Sequence, residues 1–280
     1  MSDPSLPWLI VKRGNRPLVL SLPHTGTDIP AGIETRLVSA ALARKDADWW
    51  TDRLYAFGET MGATIVRTRI SRTVIDVNRD PSGASLYPGQ ATTGLCSLES
   101  FDGEPLYRPG QEPDADEIAE RRRSFFEPYH AALSEELARL RATADRVALY
   151  DCHSIRSVIP RLFPGTLPVF NVGTNRGTSC DRAMTAAVVA ACGGEPFDHV
   201  VDGRFVGGWI TRTCDQPAEG IHALQMELAC RGYMREPLRH LTAEEWPAPY
   251  DEAYAEPLRA RLEAVLAACL AFAEGLPAAG

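Results

Sequence analysis

Two histidines stand at equivalent points of two apolar runs, His24 closing PLVLSLPH and His153 closing RVALYDCHS. Histidine is the commonest metal ligand and the side chain that exchanges protons near neutral pH. In open α/β sheets, ligands gather outside the carboxyl ends of the strands. The polar residues expected there are His24, Asp76 to Arg79, Asp151 to His153 and Glu227. A sheet that aligns these strand ends brings two imidazoles, several carboxylates and an arginine to one rim. Two histidines with one carboxylate are a common catalytic zinc set, because two neutral nitrogens and one anion leave the ion positive enough to acidify water at an open fourth position. Glu227 lies in the otherwise apolar LQMELAC, where a carboxylate without partners is costly to bury. The chain contains no P-loop, GxGxxG or HExxH pattern.

The elements that must carry these residues alternate between strand and helix. PLVLSLPH reads as a short buried strand, ATIVRT and TVIDVN as two more, followed by RVALYDCHS, LPVFNVGTN and IHALQMELAC. Between them, ARKDADWWTDRLYAFGETMGA carries Trp49, Leu54, Phe57 and Met61 at helical spacing and stops at Gly62. The segment PDADEIAERRRSFFEPYHAALSEELARLRATA is a helix with acidic residues in its first turn, interrupted at Pro128. TSCDRAMTAAVVAACGG and YDEAYAEPLRARLEAVLAACLAFAEG are further helices. Residues 80–113 are rich in Gly, Pro, Ser and Thr without a sustained period, which predicts a long ordered loop of the kind that forms lids and binding sites. These elements predict an α/β three-layer sandwich with a mixed, mostly parallel central sheet. At 280 residues the chain is expected to form a single domain.

A hydrophobic share of 45% and a charged share of 24% describe an ordinary globular protein. The net charge of -8 provides no basic field for a phosphate backbone, so nucleic acid is not expected as a partner. Seven cysteines without a CxxC pair exclude a zinc ribbon and a disulfide framework. Neither a signal-peptide pattern nor an apolar run long enough to span a membrane is present, so a cytoplasmic protein is expected. Cys152 neighbours His153, yet adjacent strand residues face opposite ways, which argues against a Cys-His nucleophile. His130 reads as a helix-packing residue, and His199, His222 and His240 have no supporting pattern.

The stretches SLPHTGTDIP, DADWWTDRLY, SRTVIDVNRDPSG, YDCHSIRSVIPRLFPGTLPVFNVGT, GGWITR and HALQMEL together resemble the N-formylglutamate amidohydrolase family, metal-dependent deacylases distantly related to zinc carboxypeptidases and aspartoacylases. The resemblance runs in order from about Ser21 to Met234. It implies a hydrolase fold like that of the zinc carboxypeptidases, and hydrolysis of N-formyl-L-glutamate to formate and glutamate, the closing step of a histidine-degradation route. It also implies one divalent ion, zinc by its ligands, held by His24, His153 and a carboxylate. The carboxypeptidase relatives place a Glu three positions after the first histidine, whereas Thr27 stands there in this chain. Asp48 takes that place in the present reading, with Asp46 and Asp151 as rivals; on a helix, Asp46 and Asp48 would point to different faces.

By the same resemblance Glu227 is the general base, taking a proton from the attacking water and passing it to the leaving amine. Asn78 and Arg79 of DVNRD hold a substrate carboxylate, the planar guanidinium gripping it through two parallel hydrogen bonds. N-formylglutamate has a second carboxylate, for which Arg212 is the first candidate, with Arg156 and then Arg161 behind it. Arg72 is placed to polarise the formyl oxygen. Two other functions remain open on the sequence: a deacylase of N-acetyl or N-succinyl acidic amino acids on the same scaffold, and a non-catalytic small-molecule binding protein.

Overall fold

A computed structural model describes residues 7–86, 89 and 92–276. One seven-stranded sheet organises the chain, in the order β1-β3-β2-β4-β7-β5-β6. The strands are β1 (Leu9–Lys12), β2 (Leu18–Leu22), β3 (Thr64–Thr68), β4 (Val147–Ile155), β5 (Phe170–Gly173), β6 (His199–Val201) and β7 (Ile221–Ala229). The central run β3-β2-β4-β7 is parallel, β5 pairs with β6 in parallel, and the antiparallel pairs β1-β3 and β5-β7 make the sheet mixed.

The helices are α1 (Ala31–Glu34), α2 (Ala40–Arg44), α3 (Thr51–Leu54), α4 (Ala115–Arg121), α5 (Glu127–Arg141), α6 (Arg182–Cys192), α7 (Trp209–Thr213) and α8 (Glu252–Ala273). Their ends follow local chemistry. Asp114, Asp181 and Asp251 accept main-chain N–H bonds as N-caps of α4, α6 and α8, and Gly193, at a φ of 72°, ends α6. None of the helices among the described residues is long and apolar enough to cross a membrane.

Strand alternation assigns the two faces of the sheet. Leu18, Leu20, Ala148, Tyr150, Leu224 and Met226 pack beneath α6 and α8, whereas Val19, Val147, Leu149 and Ala223 pack against Tyr129, Leu133 and Leu137 of α5. A fully buried Leu on either face contributes about 1.5–3 kcal/mol over an exposed one. Helices on both sides of the sheet make the three layers the sequence predicts.

Two local expectations are corrected. The helix expected across residues 43–63 is broken into α2, α3 and a 3-10 turn at Ala56–Glu59, and Asp46 and Asp48 fall in the non-helical joint between α2 and α3. Trp50, at a φ of 65°, redirects the chain there. TVIDVN is an irregular turn rather than a strand, because its main chain is drawn off to other partners: Asp76 N–H reaches the Leu95 carbonyl and Val77 O receives His130. At Pro128 the helix does divide, α4 and α5 meeting through a π-turn at Arg122–Phe126 that absorbs the missing proline N–H. Residues 80–113 contain no helix or strand among the described residues.

Candidate metal centre and active-site cleft

Register places the reacting groups. β4 and β7 pair in parallel with His153 opposite Glu227 and Asp151 opposite Gln225, so the period of two turns all four side chains to one face. His153 thus lies inside β4 rather than just past its end. Cys152 faces the opposite way, into the core under α8. β2 runs beside β4 and ends at Leu22, and Pro23 then delivers His24 to the same rim.

Asp48 arrives from the broken joint. Its main-chain N–H donates to the His24 carbonyl at 2.9 Å, and its Oδ2 accepts the Ser154 N–H at 3.1 Å, so the joint is fastened to both histidine-bearing segments. The Nδ1 atoms of His24 and His153 are 3.1 Å apart, and Asp48 Oδ2 stands 3.7 and 3.4 Å from them. Among the described residues these three form the cluster of His, Cys, Asp or Glu able to hold a metal, with ligand atoms within 4.8 Å of one another.

The far side of each ring sets its tautomer. His24 Nε2–H donates to Asp76 Oδ1 at 2.7 Å and His153 Nε2–H to Asp151 Oδ2 at 2.8 Å. Both Nδ1 atoms then present lone pairs toward each other and toward an anionic oxygen, an arrangement that repels itself without a cation between. Donors on a tetrahedral zinc, at about 2.0–2.1 Å from the ion, lie about 3.3–3.4 Å apart, which matches the observed spacings. Asp48 Oδ1 is buried with no hydrogen-bond partner, and its nearest cation is Arg72 Nη1 at 3.7 Å. The donor set fits a divalent ion.

Electrostatics agree. Burial, reinforced by the Arg72 charge, lowers the His24 pKa. At His153 burial acts in the same direction but is outweighed by Asp151, Asp48 and Glu227, which hold the ring well above the ordinary histidine range. The surroundings thus favour positive charge on the His153 side of the pair and disfavour it on the His24 ring. Burial raises Glu227 to about 8, against the opposing pull of His153. Asp76 is held well below the usual carboxylate range: burial pushes it up, but His24, Arg79 and Arg72 prevail.

The cleft over this centre is lined by His24, His153, Glu227, Arg72, Arg79, Asn78 and Gln225, with Thr92, Thr93, Phe101, Ile155, Leu162, Arg204 and Phe205 around them. Arg72 is buried and donates to Asp76 Oδ2 at 2.7 Å. Arg79 is oriented by the Thr93 carbonyl and hydroxyl, both at 3.1 Å, with Asp76 Oδ2 at 3.7 Å.

Several sequence candidates go elsewhere. Asn78 was expected to bind substrate. It lines the cleft, but its Nδ2 donates to Asp151 Oδ2 at 3.3 Å beside His153 Nε2 at 3.0 Å, and its Oδ1 accepts the Ile210 N–H at 2.8 Å, so its amide holds the carboxylate that orients the histidine. Arg156 and Asp46, a candidate and a rival, pair with each other at 3.0 Å below the cleft, and Arg156 also pairs with Asp102 at 2.8 Å. Arg212 binds the carbonyls of Gly207 and Leu86 and is outside the lining, and Arg161 pairs with Glu99 at the surface. Asp151 reaches a ring Nε2 rather than the cluster. His130 packs on Phe126, and His222 accepts the Asp181 N–H; both serve structure.

Arg204 was missed. It follows a three-residue strand too short to read, and only the glycines of GRFVGG mark a turn there. Its Nε donates to the Leu162 carbonyl at 2.8 Å and its guanidinium lies 5.2 Å from the Phe205 ring.

Residues 16–234 match the family model described as N-formylglutamate amidohydrolase. The chain is 44% identical over 265 residues to an N-formylglutamate deformylase of Pseudomonas aeruginosa, covering 94% of this chain and 96% of that protein. It is 41% identical over 261 residues to an N-formylglutamate deformylase of Pseudomonas putida, covering 93% and 94%. Its fold is similar to the crystal structure of an N-formylglutamate amidohydrolase from Ralstonia eutropha JMP134, with a TM-score of 0.74 and 23% identity across 96% of this chain and 97% of that one.

Proposed function

The chain belongs to the N-formylglutamate amidohydrolase family and is an amidohydrolase, and on that premise we propose that it hydrolyses N-formyl-L-glutamate to formate and L-glutamate with one zinc ion held by His24, Asp48 and His153. The observation that carries this reading is the convergence of the two Nδ1 atoms and Asp48 Oδ2 beside Glu227 at one end of the sheet. When bound, the ion supplies Lewis acidity, which polarises the formyl carbonyl and lets water lose a proton near neutral pH.

The chain's own groups do the rest. Glu227, opposite His153 in the sheet, accepts the proton of the attacking water and returns it to the nitrogen of the leaving glutamate. Its raised pKa, about 8, suits a group that must both take and give a proton. Arg72 offers N–H donors to the oxygen on which negative charge develops, and Asp76 keeps that guanidinium in place. Asp76 and Asp151 hold the two rings with Nδ1 inward, as outer partners of metal-bound histidines do.

The substrate has two carboxylates and the cleft lining has three guanidinium groups. The charge of Arg72 is balanced by Asp76 and Asp48. Arg79 and Arg204 share the lining with Arg72, and we assign them to the two substrate carboxylates, with the methylenes between running along Ile155, Leu162 and Phe205. All these groups come from one sheet and its loops, and we read the chain as a single hydrolase domain.

Formate release from N-formyl-L-glutamate, measured beside N-acetyl- and N-succinyl-glutamate and the N-formyl forms of uncharged amino acids, tests the reading. The expected result is a strong preference for the formylated acidic substrate. Preferred cleavage of acetyl or succinyl amides would move the activity to another deacylase.

A further inference from the structure

Phe101 reaches the cleft from outside the sheet. It sits on a tight hairpin closed by Leu106 N–H to the Leu98 carbonyl and Ser100 N–H to the Glu104 carbonyl, both at 2.9 Å. Its ring lies 4.8 Å from the Arg72 guanidinium carbon and packs with Ile155 in a small apolar cluster. The hairpin is fastened by buried charges that the chemistry does not use. Phe101 N–H donates to Asp46 Oδ2 at 2.6 Å, and Asp46 pairs with Arg156. Arg156 meets Asp102 at 2.8 Å, and the fully buried Lys45 meets Asp102 at 2.7 Å and Glu104 at 2.9 Å.

Taking a lysine and an arginine out of water costs several kcal/mol per ion before pairing repays it. Such a cluster is a poor way to gain stability but a firm way to fix a position. Lys45 is three residues before Asp48 and Arg156 three after His153. The ion cluster therefore references the Phe101 ring to the segments bearing two of the three proposed metal ligands.

We propose that Phe101 sets the acyl-size limit of the cleft: its ring fills the space beside Arg72 that a methyl on the scissile carbonyl carbon needs, so that formyl amides enter and acetyl amides are excluded. This rests on the deformylase reading above. Formyl carries only hydrogen at that carbon, and one added methyl against a packed wall commonly changes selectivity by roughly 10- to 200-fold.

The test compares kcat/KM for N-formyl-L-glutamate and N-acetyl-L-glutamate in the parent, Phe101→Leu and Phe101→Ala, together with calorimetric titration of N-acetyl-L-glutamate into each protein. The acetyl-to-formyl ratio should rise at least about 10-fold in Phe101→Ala, and by less in Phe101→Leu. Affinity for N-acetyl-L-glutamate should rise in parallel. If both substrates decline together at an unchanged ratio, and affinity for the acetyl compound does not improve, Phe101 only supports the hairpin and the proposal is overturned. Should Phe101→Ala fail to fold, the same ratio in Phe101→Leu decides. A parent enzyme that releases no formate from N-formyl-L-glutamate refutes the deformylase reading, and this inference with it.

Discussion

At the residue scale the account turns on Glu227 and on the carboxylates behind the two histidines. Glu227 must be ionised to accept a proton, so kcat/KM rises with pH through its pKa and levels off above it. Burial, opposed by the charge of His153, places that pKa at about 8, and a cation at the neighbouring ligands lowers it, so the acid limb of the profile is expected below 8. Glu227→Gln should reduce kcat by roughly 10²- to 10⁴-fold, remove that limb and leave the metal content unchanged; a retained limb would assign it to another group. Asp76→Ala frees the His24 ring and should weaken metal affinity by roughly 10- to 100-fold, read by competition with a chelator. His24, His153 and Glu227 are legible in the sequence because a titratable residue at the end of an apolar run stands out. The division of labour among arginines is not, since a guanidinium reaches far enough that only packing decides whether it meets substrate or a neighbouring aspartate, as Arg156 meets Asp46.

At the scale of elements, the site depends on places where regular structure stops. Asp48 reaches the histidines because the helix predicted through it breaks, and Trp50 in the left-handed region turns the chain back. Helical periodicity, with Trp49, Leu54 and Phe57 in phase, conceals that break, for the same spacing serves two short helices with a joint between. TVIDVN fails as a strand for a related reason: β-branched residues signal burial, and here they are buried in a turn that presents Asp76, Asn78 and Arg79. A second close approach is testable. A Cβ at Gly208 would lie 2.3 Å from Asn78 Nδ2 and 2.5 Å from its Cγ. Gly208→Ala should therefore push Asn78 off Asp151 and His153, destabilising the protein by about 1–3 kcal/mol in chemical denaturation and weakening metal binding. Parent-like stability together with parent-like metal affinity would show that Asn78 does not brace the histidine.

For the whole molecule, the alternation of strand and helix was enough to predict the layered sheet, and the structure adds that β2, β4 and β7 lie side by side. The two edge strands were not readable, because β1 and β6 are short and half-exposed and carry little pattern. A cation bound by His24, Asp48 and His153 joins three segments far apart in sequence and is absent from the unfolded chain, so it must stabilise the fold. At a free ion concentration about 1,000 times Kd the gain is about 4 kcal/mol, seen as a fall in Tm on chelation that His24→Ala abolishes. The most direct trial is to strip the purified protein of metal, return zinc in steps, and follow formate release from N-formyl-L-glutamate against bound zinc by elemental analysis. Activity should be lost on stripping and return in proportion to zinc, saturating at about one ion per chain. Undiminished formate release by the stripped protein would contradict the account.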